Sequence, residues 1–315
     1  FNLPTGAQTG TNGIITDELN NGSTGLLDDD VNQAYALVDD GTGLHFATNS
    51  TNAANGNIIA FLSTVKDDLS NWVTGDHVTD STGFVNTVEN VDIASLRFNT
   101  AANSTVSIIN DTALGIESGG ILLTENVTSG TQSITGGTLE ASGNNIIVHN
   151  YGTGVFEISS AVRGTDTITL SGTGTTLLSG DITTTGQINP LSGTLRTVGN
   201  LNSAQDVIFS NGSDATWELT ADESIRRLIG GRQDFNQQTV EVNIGTHTLE
   251  IDYTGGNNNF QGRFIGSGDI IVSGGNDFQL LSENSDNNTP DKAEFTGRFI
   301  VDGGNLRFDL RADAR

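Results

Sequence analysis

Two segments near the C-terminal end carry one pattern: Phe260, Gly262, Arg263, Phe264, Ile265 and Gly268 recur as Phe295, Gly297, Arg298, Phe299, Ile300 and Gly303, each 35 residues on. A fixed offset of that size marks one supersecondary unit laid down again on its predecessor. Solenoids bury a core in this way when no single unit could bury one alone. The repeat therefore predicts an elongated stack of coils.

Composition agrees with the stack. Forty glycines, three prolines and 6% aromatic residues, with abundant Thr, Ser and Asn, describe many short strands joined by tight turns, and an all-β chain is expected. Only 34% of the residues are hydrophobic, yet Ile, Leu, Val and Phe recur regularly along the chain. That spacing suits a thin continuous core better than disorder.

The formal net charge is −25, and Lys66 and Lys292 are the only lysines. Phosphate binding needs clustered cations, whereas here the arginines are scattered, with Arg226–Arg227 the one adjacent pair. Nucleic acid is therefore not an expected partner, and anionic membrane surfaces are disfavoured for the same reason. The absence of cysteine excludes disulfides, thiolate metal sites and a Cys nucleophile. A chain with no methionine, even at position 1, reads as a processed or excised segment, with any signal peptide or anchor expected outside it. Apolar clusters such as Ile58–Leu62 and Ile121–Leu123 are too short for direct membrane insertion.

Three regions follow along the chain. Residues 1–30 are polar and Gly/Asn-rich, and are expected to form an N-terminal arm or loose first coil. Residues 31–90 depart from the strand pattern. There Ile58, Ile59, Leu62, Val65, Leu69 and Trp72 fall at three- and four-residue spacings between Gly56 and Gly75, which predicts a short helix within a capping region. Residues 91–315 are assigned to the solenoid. Its strands of three to five residues are too short to stand as isolated hairpins but become cooperative when stacked about 4.8 Å apart. At about 18 to 22 residues per coil, the chain would make roughly fifteen coils. The stretch Ser224–Arg232 reads as a helical turn or loop, and 282–292 as a polar loop projecting from the rod.

The residues at this point match a family pattern. Gly164-Thr-Asp-Thr-Ile-Thr-Leu-Ser-Gly-Thr-Gly-Thr-Thr-Leu-Leu-Ser-Gly180, followed by Ser192-Gly-Thr-Leu195, resembles the autotransporter-associated β-strand repeat. Thr246-His-Thr-Leu249, Phe260-Gln-Gly262, Gly266-Ser-Gly-Asp-Ile270 and Gly303-Gly-Asn-Leu306 look like a second unit. The stretch from Ser95-Leu-Arg-Phe-Asn99 through Gly136-Gly-Thr-Leu139 to Ile147-Val-His-Asn150 is similar to the region preceding such repeats in large bacterial surface proteins. The resemblance covers about residues 90–310. It implies a right-handed parallel β-helix in the passenger region of a Gram-negative outer-surface protein. The centre of the repeat is degraded at Thr184–Gln187, and no translocator barrel is read in the residues up to Arg315, so the chain is expected to be part of something larger.

A β-helix can also serve as a polysaccharide lyase or hydrolase, which needs converging carboxylates in a groove. Asp166 and Asp181 could fall on neighbouring coils, but no basic or aromatic residues cluster with them in the sequence. His45, His77, His149 and His247 are widely separated, and Asp76–His77, as neighbours on a strand, would point to opposite faces. Asp28–Asp30 and Asp39–Asp40–Gly41 are the best calcium candidates, though neither has EF-hand or nonapeptide spacing. Sequons at Asn49, Asn103 and Asn126 are expected by chance in so Asn- and Thr-rich a chain. Trp72 and Trp217 stand alone, Trp217 in a strand pattern as core or end-cap. No catalytic, cofactor-binding or metal site is expected, and the chain is read as a non-enzyme without cofactor.

The leading expectation is an extracellular structural protein on a Gram-negative cell surface: a β-solenoid stalk, sheath or filament subunit. Its partners would be further copies, stacked head to tail or paired strand edge to edge, or the rest of a larger surface protein. The alternatives are a surface adhesin binding a glycan or host ligand, and a carbohydrate-active β-helix enzyme.

Overall fold

The computed structural model describes residues 2–3, 14–16, 18–20, 24–27, 34–62, 66, 72–141, 145–164, 167–183, 186–201, 205–210, 212–231, 240–252, 258–275, 277–281 and 295–309. Every secondary-structure element among them is a strand. From His77 onward all strand pairings are parallel, and the chain winds repeatedly past the same faces as a parallel β-solenoid.

The faces are built strand on strand. The first is an 11-stranded sheet running in sequence order from His77–Asp80 to Asn305–Asp309. The second starts with Val85–Val88 and ends with Arg263–Gly266. A third carries Val91–Ile93, the second halves of Ser104–Ile116 and Thr131–Glu140, and Ala161–Val162, and further on Glu223–Ile225, Leu249–Asp252, Asp269–Ser273 and Arg298–Val301. Eleven strands at about 4.8 Å make the first face about 48 Å long, shorter than fifteen coils would be. The difference arises because the N-terminal residues lie outside the stack and the winding is uneven. Ile168 stands on Ile188, 20 residues on, but Gly230 stands on Phe260, 30 residues on.

Alternation places the core. Thr167–Gly172 and Thr175–Leu178 bury every second side chain, the period of a strand with one face inward. Ile146, Ile168, Ile188, Val207 and Leu228 stack in register inside the first face. Thr176, Leu195, Trp217, Val242 and Phe264 do so inside the second. Trp217 is fully buried, and its indole N–H donates to Thr197 Oγ1 at 3.1 Å, so the large ring enters the core with its polar atom satisfied.

The 35-residue repeat proves not to be the stacking distance. Arg298 stands on Asp269 and Phe299 on Ile270, 29 residues apart, so the second copy of the pattern falls on the third face while Arg263–Gly266 lies on the second. Phe295 bridges to Gly266 at the place where the second face would continue. What recurs is the local preference for a strand after a glycine corner, displaced by one face.

Ahead of the rod lies a four-stranded antiparallel sheet, ordered Ile15–Thr16, Gly56–Ala60, Leu44–Asn49, Leu37–Asp39. The short helix expected over Ile58–Trp72 is not seen. Gly56–Ala60 is a strand, residues 63–65 and 67–71 lie outside the described residues, and Trp72 packs edge-on against Phe84 at the first coil. Ile58, which began the helical spacing, instead joins Leu27, Ala36, Val38 and Ala47 in a small core of the N-terminal sheet. The stretch Ser224–Arg232 is likewise no helical turn up to Gly231: Glu223–Ile225 and Arg227–Gly230 are strands on two faces, joined at Arg226. The whole of the proposed loop 282–292 lies outside the described residues.

Close stacking can be tested at one corner. Gly230 has φ +94, and a Cβ there would sit 1.8 Å from the Phe209 carbonyl oxygen of the preceding coil. Gly230→Ala is expected to cost about 3 kcal/mol or more, from backbone strain plus displacement of the neighbouring coil. Urea unfolding followed by tryptophan fluorescence measures this, and an unchanged midpoint would contradict the stacking register.

Candidate functional site

An open groove on the described surface arises from a mismatch between neighbouring strands. Ile108 pairs with Gly136 and Ala113 with Thr138, so residues 109–112 face Gly137 alone and loop outward. Asp111 takes a left-handed conformation, φ 65, and Thr112 Oγ1 donates to the Ile109 carbonyl at 2.8 Å, which closes the bulge. One coil earlier, Asn90 Oδ1 accepts the Ala113 N–H at 3.2 Å. The bulge forms one wall, Gly136–Thr138 the floor, and Glu140, Ser159, Ala161 and Arg163 the other wall of a groove of about 880 Å³.

The groove is open and polar. Amide, hydroxyl and carboxylate groups from four successive coils line it, with one cation, the Arg163 guanidinium, which pairs with exposed Asp181 at 3.6 Å. Such a surface offers hydrogen bonds to a polar solute; its lining contains no aromatic platform, histidine or lysine. The groove exists because the neighbouring coil is shorter there, Gly137 alone facing residues 109–112. No single-chain pattern carried that signal.

The other singled-out carboxylates are placed as follows. Asp166 and Asp28–Asp30 lie outside the described residues. Asp39 and Asp40 close a hairpin, Asp39 Oδ1 accepting the Gly41 N–H at 2.9 Å and Asp40 Oδ1 the Thr42 N–H at 2.9 Å. Burial pushes the Asp40 carboxyl up, but the Thr42 hydrogen bonds and nearby His45 outweigh it and hold the group below the usual carboxylate range. Asp76 accepts the Val73 N–H at 3.0 Å and meets Lys66 at 3.5 Å. Among the described residues, no three His, Asp or Glu side chains come together as a metal site.

The histidines separate into two kinds. His247 sits at a turn, 3.9 Å from Asp222. His77 and His149 lie at the contact with the N-terminal sheet, and His45 is on that sheet. Burial, and after it the Arg97 charge, pushes His45 down, while burial alone drives His149 down to about 4.

Arginines and carboxylates meet rung to rung. Arg196 stands in register on Glu218, Asp206 on Arg227, Glu241 on Arg263 and Asp269 on Arg298, and each pair is in contact. Asp206 is the most enclosed: its carboxylate takes Arg226 at 2.7 and 2.6 Å and also Arg227. Burial alone would raise the Asp206 carboxyl, but the two guanidinium groups overcome that and hold it below its ordinary 3.8. Sequence reading found the Arg226–Arg227 pair and missed its partner, because the partner lies one coil away.

No family model matches the chain, and no solved structure matches it significantly. The chain is similar to a protein described as Adhesin BmaC autotransporter from Brucella suis biovar 1 (strain 1330), with 29% identity over 265 residues. That match covers 79% of this chain and about 7% of the length of the Brucella protein.

The Asp206 site yields a prediction. A carboxyl with a lowered value stabilises the fold above its unfolded value of 3.8, and the contribution is lost as pH falls through the lowered one. Asp206→Asn should therefore cost about 2 kcal/mol at pH 7, since it leaves two part-buried cations unbalanced. The difference between variant and wild type should vanish as pH falls through the lowered Asp206 value. Denaturation midpoints across pH 2.5 to 7 measure both effects.

Proposed function

We propose that this chain is a non-enzymatic segment of a long protein on the outer surface of a Gram-negative bacterium, and that it acts as a stiff spacer. The observation that carries this reading is the backbone ladder of one face, eleven parallel strands in sequence order. Each coil is bonded to the next along the rod axis, so length is added without adding new kinds of contact. The likeness to a far longer autotransporter adhesin supports the setting, since the match spans about 7% of that protein's length. The cross-rung arginine pairs support it too, because they engage carboxylates that a hydrolytic site would need to converge on substrate.

The final coil gives the spacer a means of continuation. Among the described strands, Arg298–Val301 and Asn305–Asp309 each pair on one side, with Asp269–Ser273 and Asp277–Leu281 respectively. A parallel ladder of this kind can be prolonged by a further coil, so the partners in this reading are the rest of a larger protein or a second copy.

A second reading is adhesion through the groove beside Asp111, favoured by its polar lining and by the word adhesin in the relative's description. Two measurements divide the readings. Pulled along its axis in single-molecule force spectroscopy, a spacer should lengthen in steps of roughly 70 Å, one coil of about 20 residues at a time. A single collapse at low force would count against it. On a glycan array, the spacer reading expects no binding; binding that Asn110→Ala and Glu140→Ala abolish, without loss of stability, would establish adhesion instead.

A further inference from the structure

Three strands of the rod are buried on both sides, against the alternation seen elsewhere. Ser95–Phe98, Gly120–Leu123 and Ile146–Asn150 have every residue buried. Their outward side chains are covered by the N-terminal sheet, with Leu26, Ala34 and Phe46 packed on Leu122. Contact is close: a Cβ on Gly120 would lie 2.5 Å from the Ala34 Cβ. The cover lies along the flank of successive coils, since Leu122 is in register with Arg97 on one side and His149 on the other.

One polar device secures this cover twice. His77 Nε2 lies 2.6 Å from the Thr24 carbonyl oxygen, and its Nδ1 lies 2.7 Å from Ser95 Oγ on the next coil. His149 repeats the arrangement, with Nε2 3.1 Å from the Ala34 carbonyl and Nδ1 2.7 Å from Ser171 Oγ, again on the next coil. A carbonyl oxygen can only accept, so Nε2 carries the proton in both rings, and Nδ1 accepts from the serine. Burial favours the uncharged form of both rings, so each histidine is a neutral Nε2–H donor fixed between rod and sheet.

We propose that these two histidines make the N-terminal sheet an acid-releasable clasp, docked on the rod at neutral pH and let go when the imidazoles take up protons. A second proton on Nδ1 makes the serine hydroxyl turn from donor to acceptor and places a cation in a contact lined by Leu26, Phe46, Phe61 and Leu122, where burial penalises the charge. The charged surroundings compensate little. His77 has Asp76 beside it, a carboxylate already shared with Lys66, and burial still outweighs that attraction. For His149, burial is opposed by the Ala34 hydrogen bond alone, and the nearby Tyr151 is shifted up by burial and by Glu125. Arg97 donates from Nε to the Leu44 carbonyl at 3.0 Å, with Asp40 and Glu125 as its nearest opposite charges, and it repels a charged His45 that Asp39 and Asp40 attract.

The sign follows from linkage. A histidine held at about 4 when docked and 6.5 when free binds more protons in the released state. Docking is therefore strongest above pH 6.5 and weakens as pH falls toward 4, about tenfold per pH unit for His149, with His77 adding in the same direction.

The chain contains no cysteine, so paired spin labels can be placed at Ala53→Cys on the sheet side and Thr173→Cys on the rod, both exposed. Pulsed dipolar spectroscopy should give one narrow distance at pH 7.5. At pH 4.5 it should give a broad, longer distribution, reversible on neutralisation, while circular dichroism shows the rod's strands intact. In His77→Gln/His149→Gln, where the amide can still donate to each carbonyl but cannot titrate, the narrow distance should persist at pH 4.5. An unchanged wild-type distance down to pH 4, rod unfolding at the same pH as release, or equal acid sensitivity in the glutamine variant would each overturn the proposal. If that variant does not fold, the wild-type His149 ring signal in NMR decides: titration near 6.5 refutes the clasp, and a neutral Nε2–H ring at pH 5.5 supports it.

Discussion

Backbone hydrogen bonds between successive coils, all running parallel, are the constraint to which the rest of this molecule conforms. Once Ile168 stands on Ile188 and Thr176 on Leu195, every side chain on a strand has a fixed neighbour above and below. Apolar residues at inward positions then form continuous columns, so a chain with 34% hydrophobic residues can exclude water along its whole axis. The corners are under weaker constraint. A coil can add residues there without disturbing the columns, and the groove beside Asp111 and the uneven winding both arise this way.

Register also explains the arrangement of charge. In an in-register stack, identical charges on adjacent coils would sit about 5 Å apart, where even bulk water leaves roughly 0.8 kcal/mol of repulsion per pair. A chain with net charge −25 must avoid that arrangement wherever it can. Its arginines are spent opposite carboxylates, as at Arg196 on Glu218 and Arg263 on Glu241, and many other outward positions are neutral, as in the column Thr175, Thr194 and Thr216. The Thr-rich composition and the scattered arginines are two outcomes of one geometric rule.

The N-terminal sheet follows a different logic. It covers the flank of a few coils and meets them through Leu122 at the centre, with His77, His149 and Arg97 placed around it. Buried polar groups cost stability unless paired, and here each is paired to a main-chain carbonyl of the covering segment. The contact thus holds only in one alignment, and its polar part is sensitive to proton concentration while the apolar columns of the rod are not.

The all-β class, the strand–glycine-turn rhythm and the thin stacked core were legible in the sequence, because a period of two and the position of glycines are local properties of the chain; the parallel winding was implied by the family resemblance, and Trp217, read as core or end-cap, lies in the core. The 35-residue repeat showed that units recur, but not how they stack: Arg298 lies on Asp269 since corner lengths vary from coil to coil. The spacing that suggested a helix begins at Ile58 and Ile59, which instead alternate on the strand Gly56–Ala60, Ile58 inward and Ile59 half-buried. Runs such as Ile121-Leu122-Leu123 and Ile146-Ile147-Val148 did carry a signal of two-sided burial, since an outward apolar residue needs a cover. What covers them, which arginine meets which carboxylate, and which histidine nitrogen holds a proton were decided by the tertiary structure alone. Each depends on groups about 20 to more than 100 residues apart, brought together by a register that no local pattern encodes.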